Sequence, residues 1–418
     1  MNLKRVVVTG LGALTPLGNT FQETWKAMID GVSGAASITN FDASNFKTQF
    51  ACEVKNFNPT DYFDIKEAKK YDLCSQFGIV AADMAIADSA LDLGKEDLER
   101  IGVIWGSGIG GLKTFSDEVS AFAKGGGKPR FSPFFIPKMI ANITGGHVSM
   151  RHGFMGPNYT VVSACASSTN AMADAFNYIR LGKAEIFVTG GSEASIFEAG
   201  MGGFNAMRAC STRNDAPQIA SRPFDKNRDG FVMGEGGVGL IFEELEHALG
   251  RNAKIYAEVA GTGLSGDAHH MTAPHPEGTG AVKSMRDAIE DAGLNINDVD
   301  HINTHGTSTP VGDIAESKAI LKLFGAHAKD IYVNSTKSMT GHLLGAAGAI
   351  EGLATIMAIH DGIIPPTINF EEKDENIDYD SIQFVFNKAI KAEIEVALSN
   401  TFGFGGHNAS IAFKKFRQ

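Results

Sequence analysis

Cysteine, proline and net positive charge are all scarce in this chain of 418 residues, and each scarcity excludes something. The four cysteines, at 52, 74, 165 and 210, have neither the paired spacing of a zinc site nor the density of a disulfide scaffold, so a reduced, intracellular protein is expected. Only 13 prolines stand beside 43% apolar residues, which excludes a disordered or fibrous chain and supplies a large core. Lysine plus arginine (37) falls short of aspartate plus glutamate (48), for a net charge of −11. A general binder of nucleic acid or anionic membrane is therefore not expected, although a local basic patch stays open. No run of about 18 apolar residues occurs, so no membrane span is expected. At the start, Met1–Arg5 and Val6-Val7-Val8 are followed at once by Thr9, Gly10, Gly12, Thr15, Pro16 and Gly18. That reads as a buried strand and turn rather than a signal peptide, and a soluble, cytoplasmic protein is the expectation.

What is present is α/β punctuation, in a length that suits two or three units or one large fold. Short apolar strands alternate with helical stretches: VVVTG (6–10), a helix near 75–91, then IGVIWGSG (101–108). This rhythm predicts an α/β architecture with buried sheets. Two stretches look alike. Ala85–Leu91 precedes IGVIWGSG as Ala288–Leu294 precedes HINTHGTS (301–308). More loosely, 161–182 and 332–362 each read as a strand, a turn and a small-residue helix closing at Gly182 or Gly362. Duplication gives halves at 1–253 and 254–418, with an insertion at about 112–135, each half lending a loop and a helix N-terminus to one shared site. Convergent α/β punctuation is the alternative.

Some attractive motifs fail. Gly106, Gly108 and Gly111 match G-x-G-x-x-G, but an irregular 124–135 stretch follows in place of the strand and acidic residue of a dinucleotide site. Asp225–Gly230 opens like a calcium loop, yet its twelfth position is Gly236 rather than glutamate. Zinc-protease, Walker and nucleophile-elbow motifs are lacking.

Cys165 has a different setting from the other cysteines: strand VVS, then Ala164-Cys165-Ala166-Ser167-Ser168, then a helix. A helix N-terminus favours the thiolate, and free N–H groups there can hold an oxyanion. Mere packing is the competing reading. Two histidines weigh against it. His305 lies in the loop NTHGTSTP ahead of a helix near Asp313, and His342 in KSMTGH at the start of the helix matched to that of Cys165. A cysteine and two histidines suit carbon–carbon bond formation through thioesters, with a thiolate to carry an acyl group and neutral imidazoles to hold an enolate oxygen.

ACASS around Cys165, HGTSTPVGD from His305, KSMTGHLLGAAG through His342 and the closing NTFGFGGHNAS resemble the β-ketoacyl-acyl carrier protein (ACP) synthases, condensing enzymes of the thiolase-like fold. MRACSTRND (207–215) and SRPFDKNRDGFVMGEG (221–236) look most like the type II, chain-elongating branch, with type I and polyketide ketosynthase subunits as the runners-up. The resemblance implies two like halves, five layers in α-β-α-β-α order with two central mixed sheets, and a homodimer. It also implies an acyltransferase that carries out a ping-pong decarboxylative Claisen condensation, needing no redox cofactor and no catalytic metal.

Residue by residue, Cys165 matches the nucleophile, and His305 and His342 the pair that binds the malonyl thioester. Lys337 matches an active-site lysine held by Glu351. Phe402 matches a gating aromatic whose N–H completes an oxyanion hole, on a loop that Gly403, Gly405 and Gly406 let swing. Thr307 and Thr309 match the hydroxyls for the pantetheine arm; Ile109 and Phe135 match walls of an acyl pocket formed partly across the dimer. Asp313 is assigned a structural place. Asn303, Glu351, Ser399 and Asn400 resemble a structural monovalent-cation site. Lys66, Lys69 and Lys70, at i, i+3, i+4 spacing, and Lys128, Arg130 and Arg208 match the surface that docks the acidic ACP. A thiolase would carry a second cysteine near the C-terminus, a coenzyme A-primed synthase an asparagine in place of His342, and a non-catalytic chain-length partner no nucleophile. None of these matches the sequence.

Overall fold

A computed structural model describes residues 3–417; positions 1–2 and 418, the outer ends of the two expected halves, lie outside the described residues. Among the described residues, eleven strands join in one sheet. In chain order they are β1 (Val6–Leu14), β2 (Ile101–Gly106), β3 (Asn158–Val161), β4 (Ile186–Glu193), β5 (Gly236–Glu244), β6 (Ala257–Gly266), β7 (His301–Asn303), β8 (Tyr332–Asn334), β9 (Gln383–Phe384), β10 (Val396–Gly403) and β11 (His407–Lys414). The helices that position the site are α1 (Leu73–Asp88), α2 (Leu112–Lys124), α3 (Ser167–Arg180), α4 (Thr279–Asp291), α5 (Gly312–Phe324) and α6 (Ala347–Asp361).

From the middle of the sheet outward, β1-β5-β4-β2-β3 on one side answers β6-β11-β10-β7-β8 on the other. Each run reads antiparallel, antiparallel, parallel, parallel. The two central sheets expected from the resemblance are joined by a short ladder, Val6↔Val259, Val7↔Glu258 and Val8↔Ala257, which stops after three residues. Helices α3 and α6 pack on each other and touch strands of both runs, α1 covers the first run, and α4, with α5 against it, covers the second. Five layers result.

Small residues set these distances. A Cβ on Gly10 or Gly12 of β1 would stand 2.2 Å from Ala85 O or 2.1 Å from Ala81 O of α1. On β6 the same would happen at Gly261 and Gly263, 2.4 Å from Ala288 O and 1.9 Å from Ser284 O of α4. Backbone-to-backbone contact of strand and helix thus repeats in both runs. Between the layers, Ser168 Oγ of α3 accepts the Ala349 N–H of α6 (2.9 Å). In the excursion at 112–135, α2 occupies the first half and the stretch after it up to Phe134 is irregular, as expected for 124–135; Phe115, Val119, Phe122, Phe131 and Phe134 are exposed along it. Among the described residues, no helix is long and apolar enough to cross a membrane.

Candidate active site

Cys165 sits in a tight turn between β3 and α3. Ala164 before it holds φ +51°, a left-handed conformation that costs an alanine on the order of 1 kcal/mol. The turn is fixed from several sides. Ser167 N–H and Oγ both donate to Ala164 O (3.2 and 2.6 Å), and Ser167 Oγ accepts the Ser163 N–H (2.9 Å). Across the cavity floor runs Gly403, where a Cβ would stand 2.9 Å from Ser163 O and 3.1 Å from Cys165 N.

The two histidines come in from the second run of the sheet. His342 follows Gly341 (φ +66°), donates its backbone N–H to Val232 O (2.7 Å), and brings ring Nε2 to 3.0 Å from Cys165 Sγ. His305 follows β7; its N–H and that of Gly306 donate to the Glu316 carboxylate at 2.9 and 2.8 Å. The imidazole rings lie 5.3 Å apart and nearly perpendicular. Cys165, His305 and His342 face one cavity of about 540 Å³. The Nδ1 atoms of both rings are buried without hydrogen-bond partners.

Burial governs the electrostatics. It holds His342 well below its ordinary pKa, with Lys337 adding to the effect, and His305 likewise, with Lys337 and His342 adding. Both rings are neutral near pH 7, as expected. The thiol departs from expectation: burial pushes Cys165 up to about 12, against the opposing pull of Lys337 and the Phe404 N–H. Desolvating the sulfur of a residue that is 7% exposed outweighs the helix terminus, so the resting group is a thiol beside an imidazole, not a free thiolate. Behind the histidines, the Lys337 ammonium contacts the Glu351 carboxylate, both fully buried. Thr401 Oγ1 donates to the other Glu351 oxygen (3.4 Å). Burial pushes the Glu351 carboxyl up and Lys337 pulls it back down.

Most remaining candidates fall on the same cavity. Thr307 and Thr309 line it with their hydroxyls 3.0 Å apart, and Ile109, Gly403 and Arg208 line it too. Phe135 does not. It stacks on Phe131 (5.6 Å) and Phe115 (6.2 Å) in the aromatic cluster of the excursion, away from the cavity of its own chain. The N–H assigned to Phe402 needs correction. Phe402 belongs to β10, with its ring 5.8 Å from that of His305, whereas the N–H facing the sulfur is that of Phe404, in the turn after the strand. That turn is tied down by Gly405 N–H to Met271 O (2.8 Å) and by Asp267 N–H to Gly406 O (2.9 Å).

Asp313 is fully buried and accepts the Phe224 N–H (2.8 Å), with burial pushing its carboxyl up to about 6. Lys66, Lys69 and Lys70 are exposed around the short helix Ile65–Ala68 that Asp64 caps; Lys128 and Arg130 are exposed on the excursion. Of this basic set, Arg208 alone lines the cavity. At the expected cation site, Asn303 Oδ1 and Ser399 Oγ are buried and unpartnered, and Asn303 Nδ2 donates to Glu351 O (3.3 Å). Asn400 Oδ1 instead accepts the Ser410 hydroxyl (2.8 Å). The residues fit a small cation through oxygens; among the described residues no cluster of three His, Cys, Asp or Glu suits a metal.

Sequence reasoning missed Glu316, Phe404 and Glu193. Glu193 occupies the N–H groups of the glycine loop that mimics a dinucleotide motif, accepting from Gly108 (2.7 Å) and Ile109 (3.3 Å). A carboxylate eleven residues from His305, or at the far end of another strand, gives no local signal.

Known proteins bear on this arrangement. The family models "Beta-ketoacyl synthase, N-terminal domain" and "Beta-ketoacyl synthase, C-terminal domain" match residues 3–248 and 256–371. The chain is 46% identical over 419 residues to the 3-oxoacyl-[acyl-carrier-protein] synthase 2 of Vibrio harveyi, covering 100% of both chains. It is 49% identical over 414 residues to the protein of that name from Synechocystis sp., covering 99% of each. Among solved structures, a β-ketoacyl synthase from Burkholderia phymatum superposes with a TM-score of 0.91 at 33% identity, over 99% of this chain and 100% of that one. The ketosynthase of a type II PKS, solved with its acyl-carrier protein, gives 0.90 at 32%, with the same coverage. By sequence match along its length and by its paired half-sheets, the chain belongs to the β-ketoacyl synthase family.

Proposed function

We propose that this chain is a 3-oxoacyl-ACP synthase of type 2, an acyltransferase that lengthens an acyl chain by two carbons. The observation that carries the reading is His342 Nε2 at 3.0 Å from a buried Cys165 thiol, with a second neutral imidazole beside it, in a chain whose relatives at 46–49% identity bear that name.

In the first half-reaction His342 Nε2 takes the thiol proton as Cys165 Sγ attacks the thioester carbonyl of acyl-ACP. The proton then passes to the departing carrier sulfur, leaving acyl-Cys165. The Phe404 N–H, with that of Cys165, is placed to hold the oxyanion of this step. Malonyl-ACP follows. Its C2–carboxylate bond breaks to release CO2, and the N–H of His305, with that of His342 once its ring proton has moved from Nδ1 to Nε2, holds the resulting enolate oxygen. C2 then bonds to the acyl carbon, the C–S bond to Cys165 breaks, the expelled thiolate takes up a proton from water to restore the resting thiol, and 3-oxoacyl-ACP leaves. Lys337 works at a distance: its charge adds to the burial that keeps both imidazoles neutral, and Glu351 keeps its ammonium in place.

Thr307 and Thr309 receive the pantetheine arm, and Ile109 lines the acyl pocket. Phe404 gates it on a turn whose Gly405 and Gly406 hold φ +86° and +75°. The acidic carrier docks on Lys66, Lys69, Lys70, Lys128, Arg130 and Arg208. A homodimer covers the exposed aromatics of the excursion and brings Phe135 to the partner's pocket. Asn303, Ser399 and Glu351 hold a structural monovalent cation, the halves divide at 253/254, and the enzyme works in the cytoplasm. The test is elongation: purified protein given acyl-ACP and malonyl-ACP yields 3-oxoacyl-ACP two carbons longer, and Cys165→Ser does not. Wild-type protein that releases no such product overturns the reading.

A further inference from the structure

Glu193 closes β4 with no side-chain exposure, and among the described residues no lysine or arginine pairs with it. Burial pushes its carboxyl up to about 7, and backbone amides and one hydroxyl pull against that shift. Oε2 accepts the N–H of Gly108 (2.7 Å) and of Gly345 (3.0 Å); Oε1 accepts Ser107 Oγ (3.2 Å) and the Ile109 N–H (3.3 Å). While the carboxyl is ionised these bonds are charge-assisted, and so stronger than their neutral counterparts.

These donors come from two segments far apart in the chain that meet beside the cavity. Gly108 and Ile109 belong to the loop after β2, in the first run of the sheet; Gly345 belongs to the turn between His342 and α6, in the second. Packing at this seam leaves no slack, since a Cβ on Gly345 would stand 2.1 Å from Gly108 N. Leu344, just before Gly345, holds φ +49°, a strained conformation for leucine that needs an anchor on at least one side. Both Ile109 and Leu344 face the cavity that holds Cys165.

We propose that Glu193 is a positioning residue that sets acyl-chain selectivity: its carboxylate clamps the Ile109 wall to the Leu344 wall and so fixes the gap through which an acyl chain enters its pocket. The role rests on the function proposed above. Without the clamp, three N–H groups lose their acceptor, Leu344 is free to leave the left-handed region, and the walls part. Chains that fill the native gap then lose their fit, while the Cys165–His342 pair, held by other bonds, stays assembled.

The test measures kcat/KM of wild type, Glu193→Gln and Glu193→Ala for acyl-ACPs of graded length, with malonyl-ACP decarboxylation by acyl-free enzyme as a second readout. Glutamine keeps the volume but turns one acceptor into a donor facing N–H groups, so it reports even where alanine fails to fold. Expected is a change of about tenfold or more in the ratio of kcat/KM between the preferred chain and one four carbons shorter, with decarboxylation falling by no more than about threefold. An equal loss at all lengths, or an unmoved ratio, overturns the role of Glu193. Wild type assayed alongside separates the two readings: no elongation by wild type defeats the function itself, whereas wild-type elongation with an unmoved ratio defeats the clamp alone.

Discussion

Removing the Glu351 carboxylate strands the Lys337 ammonium in the interior. Lys337 is 1% exposed and Glu351 not at all, so water cannot replace the lost partner. Two unit charges at contact are worth about 4 kcal/mol at an effective dielectric constant near 20, and breaking a buried pair on one side costs about 3–5 kcal/mol. Glu351→Ala is therefore expected to lower the free energy of unfolding by about 3–5 kcal/mol. Glu351→Gln, which keeps an acceptor but no charge, loses less. The double variant Lys337→Met/Glu351→Leu removes both charges and should recover most of that loss, because no ion is left without its partner. Denaturant titration at one fixed protein concentration measures all four proteins. A Glu351→Ala cost below about 1 kcal/mol, or a double variant that loses as much stability as Glu351→Ala, would refute the buried-pair argument.

Lys337→Met also tests the electrostatics of the site: with the charge gone, both imidazole pKa values rise, so the acid limb of the kcat/KM profile moves to higher pH. An unshifted limb contradicts that assignment. Because the folded imidazoles of His305 and His342 stay neutral where the unfolded chain takes up protons, stability holds above about pH 6.5 and falls below it. His305→Gln and His342→Gln should flatten that fall in unfolding titrations at pH 7 and pH 5. On the carrier surface, Arg208→Glu should raise KM for acyl-ACP about fivefold with kcat little changed, the gap narrowing with added salt. A salt-independent KM would place Arg208 outside the docking surface.

Local sequence made Cys165, the two histidines that share its cavity and the doubled α/β rhythm legible, because a strand followed by small residues and a helix is a short-range pattern. The glycines at 10, 12, 261 and 263 carry the repeat as well, since each lets a helix backbone lie on its strand. What sequence could not show depends on long-range geometry. The ionisation of Cys165 turned on burial beneath Gly403 and beside His342, elements more than 170 residues away in the chain. Phe402 and Phe404 differ only in whether the strand has ended, which decides which N–H turns toward the sulfur. The joined sheet rests on three residue pairs between strands about 250 positions apart. Glu193 and Glu316 act through backbone N–H groups, which carry no residue identity.

The most direct measurement is the acylation of Cys165 itself. Protein incubated with acyl-ACP alone, digested and mapped by mass spectrometry, should carry the acyl mass on the peptide containing Cys165 and lose it when malonyl-ACP is added. An acyl group on another residue, or an adduct that malonyl-ACP does not discharge, would contradict the account.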